Sequence, residues 1–372
     1  MGSLGAGAAG AAILSSLPIE SFAAATMDAR LAGMDEPVVI LSANENAYGM
    51  FPSAAAVAAE ALRYGNRYPF RAYGELEQKI AAYNNVSAKQ VLIGNGSSEV
   101  LAMAARAFTG PGRKLIAAVP TFESTAAYAR AHNAEVVEVP LTANFAHDLD
   151  AMLARTGNDT GLIYICNPNN PTATLTPRRD IEAFLRKLPA NTYVLIDEAY
   201  HHFATDAEDY VSFIEKPVDD PRIIVARTFS KVYGMAGLRL GYSVAAEETT
   251  KKLRLYQEAD NGNVIALLAG LASLNDDRAM KAAVARNAAD RAAFLRECSS
   301  RRVKVIPSYA NFAMIETGRP VRDVIGHFRR LNVSIGRPFP RMEQYARVSF
   351  GRPADMDAFW KAWDVMPNMA KQ

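Results

Sequence analysis

Cysteine is nearly absent: Cys166 and Cys298 are the only two in 372 residues. Two thiols cannot build a disulfide framework, and no Cys/His spacing resembles a zinc site, so no metal is expected. An excess of one charge is lacking as well. Lys+Arg 41 against Asp+Glu 39 gives a net +2, which leaves no electrostatic footprint for nucleic acid or an anionic membrane. No apolar run is long enough to span a bilayer. A polyanion-binding protein is therefore not the first expectation. What is present is an ordinary globular composition, 50% hydrophobic and 22% charged. At roughly 100–200 residues per domain, the length allows two or three domains.

The N-terminus is the one compositional oddity. Met1 to Ile19 carries no charge, and Gly5 to Leu17 is mostly Gly and Ala with a short apolar tract. Ser21-Phe22-Ala23-Ala24-Ala25 resembles a small-residue cleavage site, although the basic start of an export signal is missing. Residues 1–40 are read as a tail or the remnant of a signal. The expected location is cytoplasmic, with export as the alternative.

From residue 90 onward, short β-branched runs alternate with Ala/Leu-rich helical patterns. Gln90–Ile93, Lys114–Val119, Glu135–Pro140, Leu162–Cys166, Tyr193–Asp197, Arg222–Arg227 and Leu240–Val244 read as strands. Ser98–Phe108, Glu123–Ala131, His147–Arg155 and Arg179–Leu188 read as helices. Apolar runs this short, bounded by Gly, Pro or Asn, signal buried strands of a mainly parallel sheet. The alternation predicts an α/β doubly wound domain over residues 41–260. Beyond it the texture changes. Helices are expected at Glu247–Ala259, Val264–Leu274, Asp277–Cys298, Val321–Leu331 and Ala354–Val365. Strands are expected at Val303–Ile306, Asn311–Glu316, Val333–Ile335 and Ala346–Phe350. Residues 261–372 are thus expected to form a smaller α+β domain.

In open α/β sheets ligands bind beyond the carboxyl ends of the strands. After the first of these strands comes Gly94-Asn95-Gly96-Ser97-Ser98-Glu99, a glycine turn opening a helix whose free N–H groups attract an anion. It is not the G-x-G-x-x-G fingerprint of a dinucleotide site. Phe122 follows the next strand, and Asn167-Pro168-Asn169-Asn170-Pro171-Thr172 follows Leu162–Cys166. Asp197-Glu198-Ala199-Tyr200 ends a buried strand, where a poorly solvated carboxylate needs a cationic or N–H partner. Thr228-Phe229-Ser230-Lys231, with Arg239 close behind, suits a phosphate site beside an amine able to form a Schiff base. His201 and His202 are adjacent and so point apart. Cys166 reads as an inert core thiol, and Asn311 as a capping or turn residue.

Together these phrases resemble the pyridoxal-phosphate enzymes of fold type I, class I/II aminotransferases, and within them the histidinol-phosphate aminotransferase group. Asn44–Gly49, Arg67-Tyr68-Pro69, Gly96–Glu99, Asn167–Thr172, Asp197–Tyr200, Thr228–Lys231 with Arg239, and Arg347–Gly351 match that family's wording, in its order. The resemblance implies a large sheet domain, a smaller second domain and pyridoxal 5'-phosphate as cofactor. It implies Lys231 as the amine that binds the cofactor and moves the proton, and Asp197 as the partner of the pyridinium nitrogen. It implies Asn170 and Tyr200 at the ring's phenolic oxygen and Phe122 stacked on the ring. Gly96, Ser97, Ser98, Thr228, Ser230 and Arg239 would hold the phosphate. Tyr68 would reach the phosphate of a neighbouring subunit, which makes a homodimer with shared sites the expected assembly. Arg347 would grip the substrate carboxylate, with Arg337 and Tyr48 also on the substrate side.

The implied reaction is a ping-pong exchange of an amino group between an amino acid or amino-alcohol phosphate and a 2-oxo acid. The alternative is a decarboxylase of the same fold, of the threonine-phosphate type. Some wording departs from the family: Ala47 and Ala173 replace the usual proline and glycine, and Ala259–Val264 stands where relatives acting on histidinol phosphate tend to have Pro-aromatic-Asn-Val, so the aromatic is absent and Asp260 appears. An aspartate there would repel a phosphate.

Overall fold

The computed structural model describes residues 38–367; the candidate signal at residues 21–25 lies outside them. The strands in chain order are β1 (Val39–Leu41), β2 (Val91–Gly94), β3 (Lys114–Val119), β4 (Val136–Pro140), β5 (Thr160–Cys166), β6 (Tyr193–Asp197), β7 (Ile223–Thr228), β8 (Gly241–Ala245), β9 (Phe312–Glu316), β10 (Val333–Ile335) and β11 (Tyr345–Ser349). Seven of them form one sheet in the order β2-β8-β7-β6-β5-β3-β4. Only β8 runs against its neighbours; the rest are parallel. Parallel strands covered by helices on both faces are buried on both faces, and β5 is buried at every residue. Ile163 and Ile165 enter the core on one face, and Leu162, Tyr164 and Cys166 enter the core on the other. Each fully buried Leu or Ile contributes roughly 1.5–3 kcal/mol.

The smaller unit pairs β9 with β11 antiparallel and β1 with β10 parallel. Its own core holds Phe294, Phe328, Phe359 and Trp360. The architecture is therefore the expected one, a mainly parallel doubly wound sheet with an α+β unit beside it.

Several boundaries differ from the sequence reading. The helix Val264–Ser273 packs on Pro52–Ala61 and Phe70–Tyr83, and its Ala266, Leu267 and Ala269 join the large core. By packing it goes with the large unit, although it lies beyond residue 260. Gly270 permits the approach, since a Cβ there would stand 2.5 Å from Leu240 Cδ2. At the other end, β1 places the start of the described chain in the small unit. Val303–Ile306 makes only a bridge from Val305 to Ile315 instead of a strand, because Pro307 cannot continue the ladder. The helix expected over 247–259 stops at Arg254, where Gln257 turns inward to donate to Tyr73 Oη at 2.6 Å and the Ile93 carbonyl at 2.7 Å. The helix expected from His147 begins at Leu149, with Asp148 as N-cap accepting from Ala151 N at 2.9 Å.

Candidate active site

Strand register gathers the site. Gly94 pairs with Gly241, and Gly241 pairs with Thr228, so the glycine turn after β2 adjoins the loop after β7. Cys166 pairs with Asp197, and Asp197 with Ala226, which sets the ends of β5, β6 and β7 in one row. Above this row lies a cavity of about 290 Å3. Its walls carry Ser97, Ser98, Phe122, Asn170, Asp197, Tyr200, Thr228, Ser230, Lys231, Arg239 and Arg347.

The phosphate end begins at Gly96, where φ is +72° and the helix Ser97–Phe108 has no side-chain cap. Its first N–H groups are therefore open to an anion. A Cβ on Gly96 would sit 2.2 Å from Arg239 Nη2, so only glycine lets that guanidinium close over the turn. Arg239 reaches Ser98 Oγ and Ser230 Oγ at 3.4 Å each. Those contacts are long for hydrogen bonds, and they leave the guanidinium without a strong anionic partner. Thr228 Oγ1 donates to Ser230 Oγ at 2.9 Å and accepts from Ser230 N at 3.1 Å. Hydroxyls, a guanidinium and a helix start in one concavity suit a phosphate ester.

Deeper in, Asp197 is 2% exposed. It accepts from Tyr164 Oη at 2.9 Å and from Ala199 N at 3.1 Å. Burial nevertheless pushes its carboxyl up to about 6. Such a carboxylate calls for a buried cation, which a pyridinium nitrogen would supply. Lys231 Nζ donates to the Asn44 carbonyl at 2.9 Å. Burial first, and the Arg347 charge second, bring its amine down to about 8, which raises the fraction in the neutral nucleophilic form near physiological pH. Burial pushes the Tyr200 phenol up, and its oxygen accepts from Asn44 Nδ2 at 2.8 Å. Burial likewise raises the Cys166 thiol well above its usual range, which keeps it protonated.

Arg347 is 8% exposed. Its Nη1 donates to Asn170 Oδ1 and its Nη2 to the Ser42 carbonyl, both at 2.8 Å, while Nε has no partner. A buried guanidinium with spare N–H groups suits a carboxylate or phosphate. Since Asn170 turns its oxygen toward Arg347, its amide N–H groups are left as donors for the cavity.

Two residues expected on the substrate side, Tyr48 and Arg337, do not line this cavity, and Tyr68, expected at a neighbouring subunit's site, does not line it either. Tyr48 packs instead under Arg286, whose guanidinium carbon is 4.3 Å from the ring, and its hydroxyl donates to Asp290 Oδ1 at 3.3 Å. That position, against the long helix Asp277–Ser300, lies outside the residues that line the cavity. Arg337 does not line the cavity and forms an ion pair with Glu123. Tyr68 is 70% exposed and stacks on Phe70, and it does not line the cavity of its own chain. It lines a separate groove of about 250 Å3 with Asp260 and Asn261. Asn261 Nδ2 donates there to both Glu99 oxygens, at 3.0 and 2.9 Å.

The histidines are structural. His201 lies 3.0 Å from Glu215 Oε1 and 3.1 Å from Tyr210 Oη, and His202 packs edge-on against Tyr233. Asn311 pins the Asn44–Asn46 loop by donating to the Glu45 carbonyl at 2.9 Å. Two contributors went unassigned in the sequence. Asn44 serves both Lys231 and Tyr200, and Tyr164 holds Asp197. Tyr164 precedes Cys166 by two and so shares its face, a signal that period-2 reading of β5 contains.

An amine, a buried carboxylate, an aromatic face and a phosphate cradle around one cavity define a pyridoxal-phosphate enzyme of fold type I, and this donor set fits that cofactor. The family model described as aminotransferase class I and II matches residues 36–362, and the chain belongs to this family. A histidinol-phosphate aminotransferase of Geobacillus thermodenitrificans is 37% identical over 293 residues, 78% of this chain and 79% of that protein. An aromatic amino acid aminotransferase of Cutibacterium acnes is 35% identical over 87% of this chain and 90% of its own length. The crystal structure of histidinol-phosphate aminotransferase from Sinorhizobium meliloti in complex with pyridoxal-5'-phosphate superposes with a TM-score of 0.83 at 26% identity. It covers 97% of this chain and 98% of its own. The protein is an aminotransferase that uses pyridoxal 5'-phosphate, and the decarboxylase alternative has less support. Among the described residues no helix is long and apolar enough to cross a membrane.

Proposed function

We propose that this aminotransferase takes its amino group from a donor whose carboxylate or phosphate is gripped by Arg347 and whose tail extends toward Arg337. Histidinol phosphate and aromatic amino acids, named for the relatives, are the reference donors. The observation that carries this reading is Arg347 itself, buried at the cavity wall beside Lys231 with its Nε unpartnered. When bound, pyridoxal phosphate supplies the electron sink that makes the donor Cα–H acidic.

The residues do the rest. Lys231 Nζ would hold the cofactor and serve as the base that moves the proton of the donor Cα. Asp197, fixed by Tyr164 and Ala199, keeps the ring nitrogen protonated. Asn170 and Tyr200 donate to the phenolic oxygen, and Phe122 presents its ring face. Gly96, Ser97, Ser98, Thr228, Ser230 and Arg239 retain the phosphate. Arg347 orients the donor so that the Cα–H bond faces Lys231.

The assembly in this reading is a homodimer. Leu62, Tyr64, Tyr68, Phe70, Leu255 and Tyr256 are all exposed. An apolar, aromatic surface of this kind is characteristic of interfaces. A second copy covering it would carry Tyr68 toward the neighbouring phosphate site.

The test mixes holoenzyme with a panel of amino acids and histidinol phosphate and follows loss of the cofactor's visible absorbance. Arg347→Lys should impair every donor, because a lysine cannot match a carboxylate bidentately. Arg337→Ala should reorder the donors. Equal loss for all donors in Arg337→Ala, or a single affected donor in Arg347→Lys, would show that the two roles are wrongly assigned.

A further inference from the structure

We infer that Glu123 is a specificity-determining residue: it holds Arg337 in an ion pair beside the cavity wall formed by Phe122 and Arg347, and a donor with an anionic tail must displace it. The inference rests on the proposed roles of Arg347 at the donor's carboxylate and Arg337 at its tail.

Glu123 directly follows Phe122 and is the N-cap of the helix Ser124–Ala131 in the large unit. Arg337 lies just after β10 in the small unit, so the pair joins the two units. Both arginines approach the same aromatic ring. The Arg337 guanidinium carbon is 4.4 Å from the Phe339 centroid, and that of Arg347 is 4.9 Å from it. Phe339 is buried, so Arg337 of the pair and Arg347 of the carboxylate clamp share one aromatic ring.

The fields of the pair reach Arg347. Its guanidinium is destabilised first by burial; Tyr200 and Glu123 favour its charge, and Arg337 opposes it. Glu123 thus cancels part of the positive potential that two neighbouring arginines would otherwise build for a dianionic donor. The side chains of Arg337 and Glu123 are 53% and 46% exposed. An ion pair so open to water is weak and exchangeable, and a tail phosphate or carboxylate offers Arg337 the same chemistry as the residue it displaces. A neutral tail offers nothing to compete, leaves the pair closed, and meets a rim with little net charge. One rim can therefore accept donors of both kinds, with Glu123 setting the balance between them.

The experiment compares the holoenzyme with Glu123→Gln, Arg337→Ala and the double variant. Glutamate serves as the anionic-tail donor and phenylalanine as the neutral one. In Glu123→Gln the ratio of kcat/KM for glutamate over phenylalanine should rise about fivefold, the upper end for a half-exposed pair. The rise should shrink with added salt and vanish when Arg337 is already alanine. Succinate, which carries two carboxylates and no amino group, should inhibit Glu123→Gln more tightly than the parent, reading binding apart from turnover. An unmoved ratio with unmoved succinate inhibition overturns the role of Glu123, as does an equal shift in the Arg337→Ala background. If Arg337→Ala itself leaves the donor ranking untouched, the underlying assignment of Arg337 fails, and the role of Glu123 with it.

Discussion

Replacing Asp197 by asparagine should stabilise the apoenzyme while abolishing transamination. The carboxyl is 2% exposed and is pushed by burial from 3.8 to about 6. The Tyr164 hydroxyl, the Ala199 N–H and the Lys231 charge pull the other way without recovering the difference. A carboxyl raised in the folded state binds its proton more readily there than in the unfolded chain. Stability is therefore lost as pH rises from about 4 to about 6, and the loss is complete above that window. About two pH units correspond to about 3 kcal/mol. Asparagine keeps an oxygen for Tyr164 or Ala199 and carries no charge. Urea unfolding of both apoenzymes near neutral pH should then favour Asp197→Asn by up to about 3 kcal/mol. The advantage should fade toward about pH 4, where the wild-type carboxyl is itself protonated. With cofactor bound the order should reverse, since a buried pyridinium offsets the carboxylate. A variant that is less stable near neutral pH, or an advantage that does not change with pH, would refute the reasoning.

Lys231→Ala should still bind cofactor but leave no borohydride-reducible link; a cofactor trapped on another lysine would displace Lys231 from its role. In the wild-type apoenzyme, cofactor capture should accelerate as pH rises to about 8, the value to which burial brings the Lys231 amine, and then level off in stopped-flow absorbance. Gly96→Ala should weaken cofactor binding by roughly tenfold or more, because it forces a side chain into left-handed backbone against Arg239; equilibrium dialysis reads this directly. If Tyr68 serves the neighbouring subunit, mixing inactive Lys231→Ala with inactive Tyr68→Ala subunits should regenerate some intact sites. Failure to recover activity despite demonstrated subunit exchange would argue against shared sites.

Much of the large domain was legible because its signals are local. Runs such as Leu162–Cys166 and Tyr193–Asp197 are short, apolar and closed by Asn or Asp, and in a two-faced sheet such runs have no other fate. The residues at their carboxyl ends could then be named before any contact was known. Helix ends were less legible, since Asp148 as a cap and Gln257 as an anchor act through single hydrogen bonds that periodicity does not register. The helix Val264–Ser273 read correctly as a helix, but its sequence does not say which core it joins; its packing on Pro52–Ala61 and Phe70–Tyr83 decides that.

What the sequence determined by itself was the chemical inventory: an amine, a carboxylate, hydroxyls and arginines placed after successive strands. The tertiary structure decided which of them meet. Arg347 bonds Asn170 across 177 residues, Arg337 pairs with Glu123 across 214, and Tyr48 goes to Asp290 across 242. Each of these choices depends on how the small unit and the long helix pack against the sheet. A residue's type and strand position follow from neighbours within a few residues, whereas the direction and partner of a long side chain follow from surfaces brought together only when both units have folded.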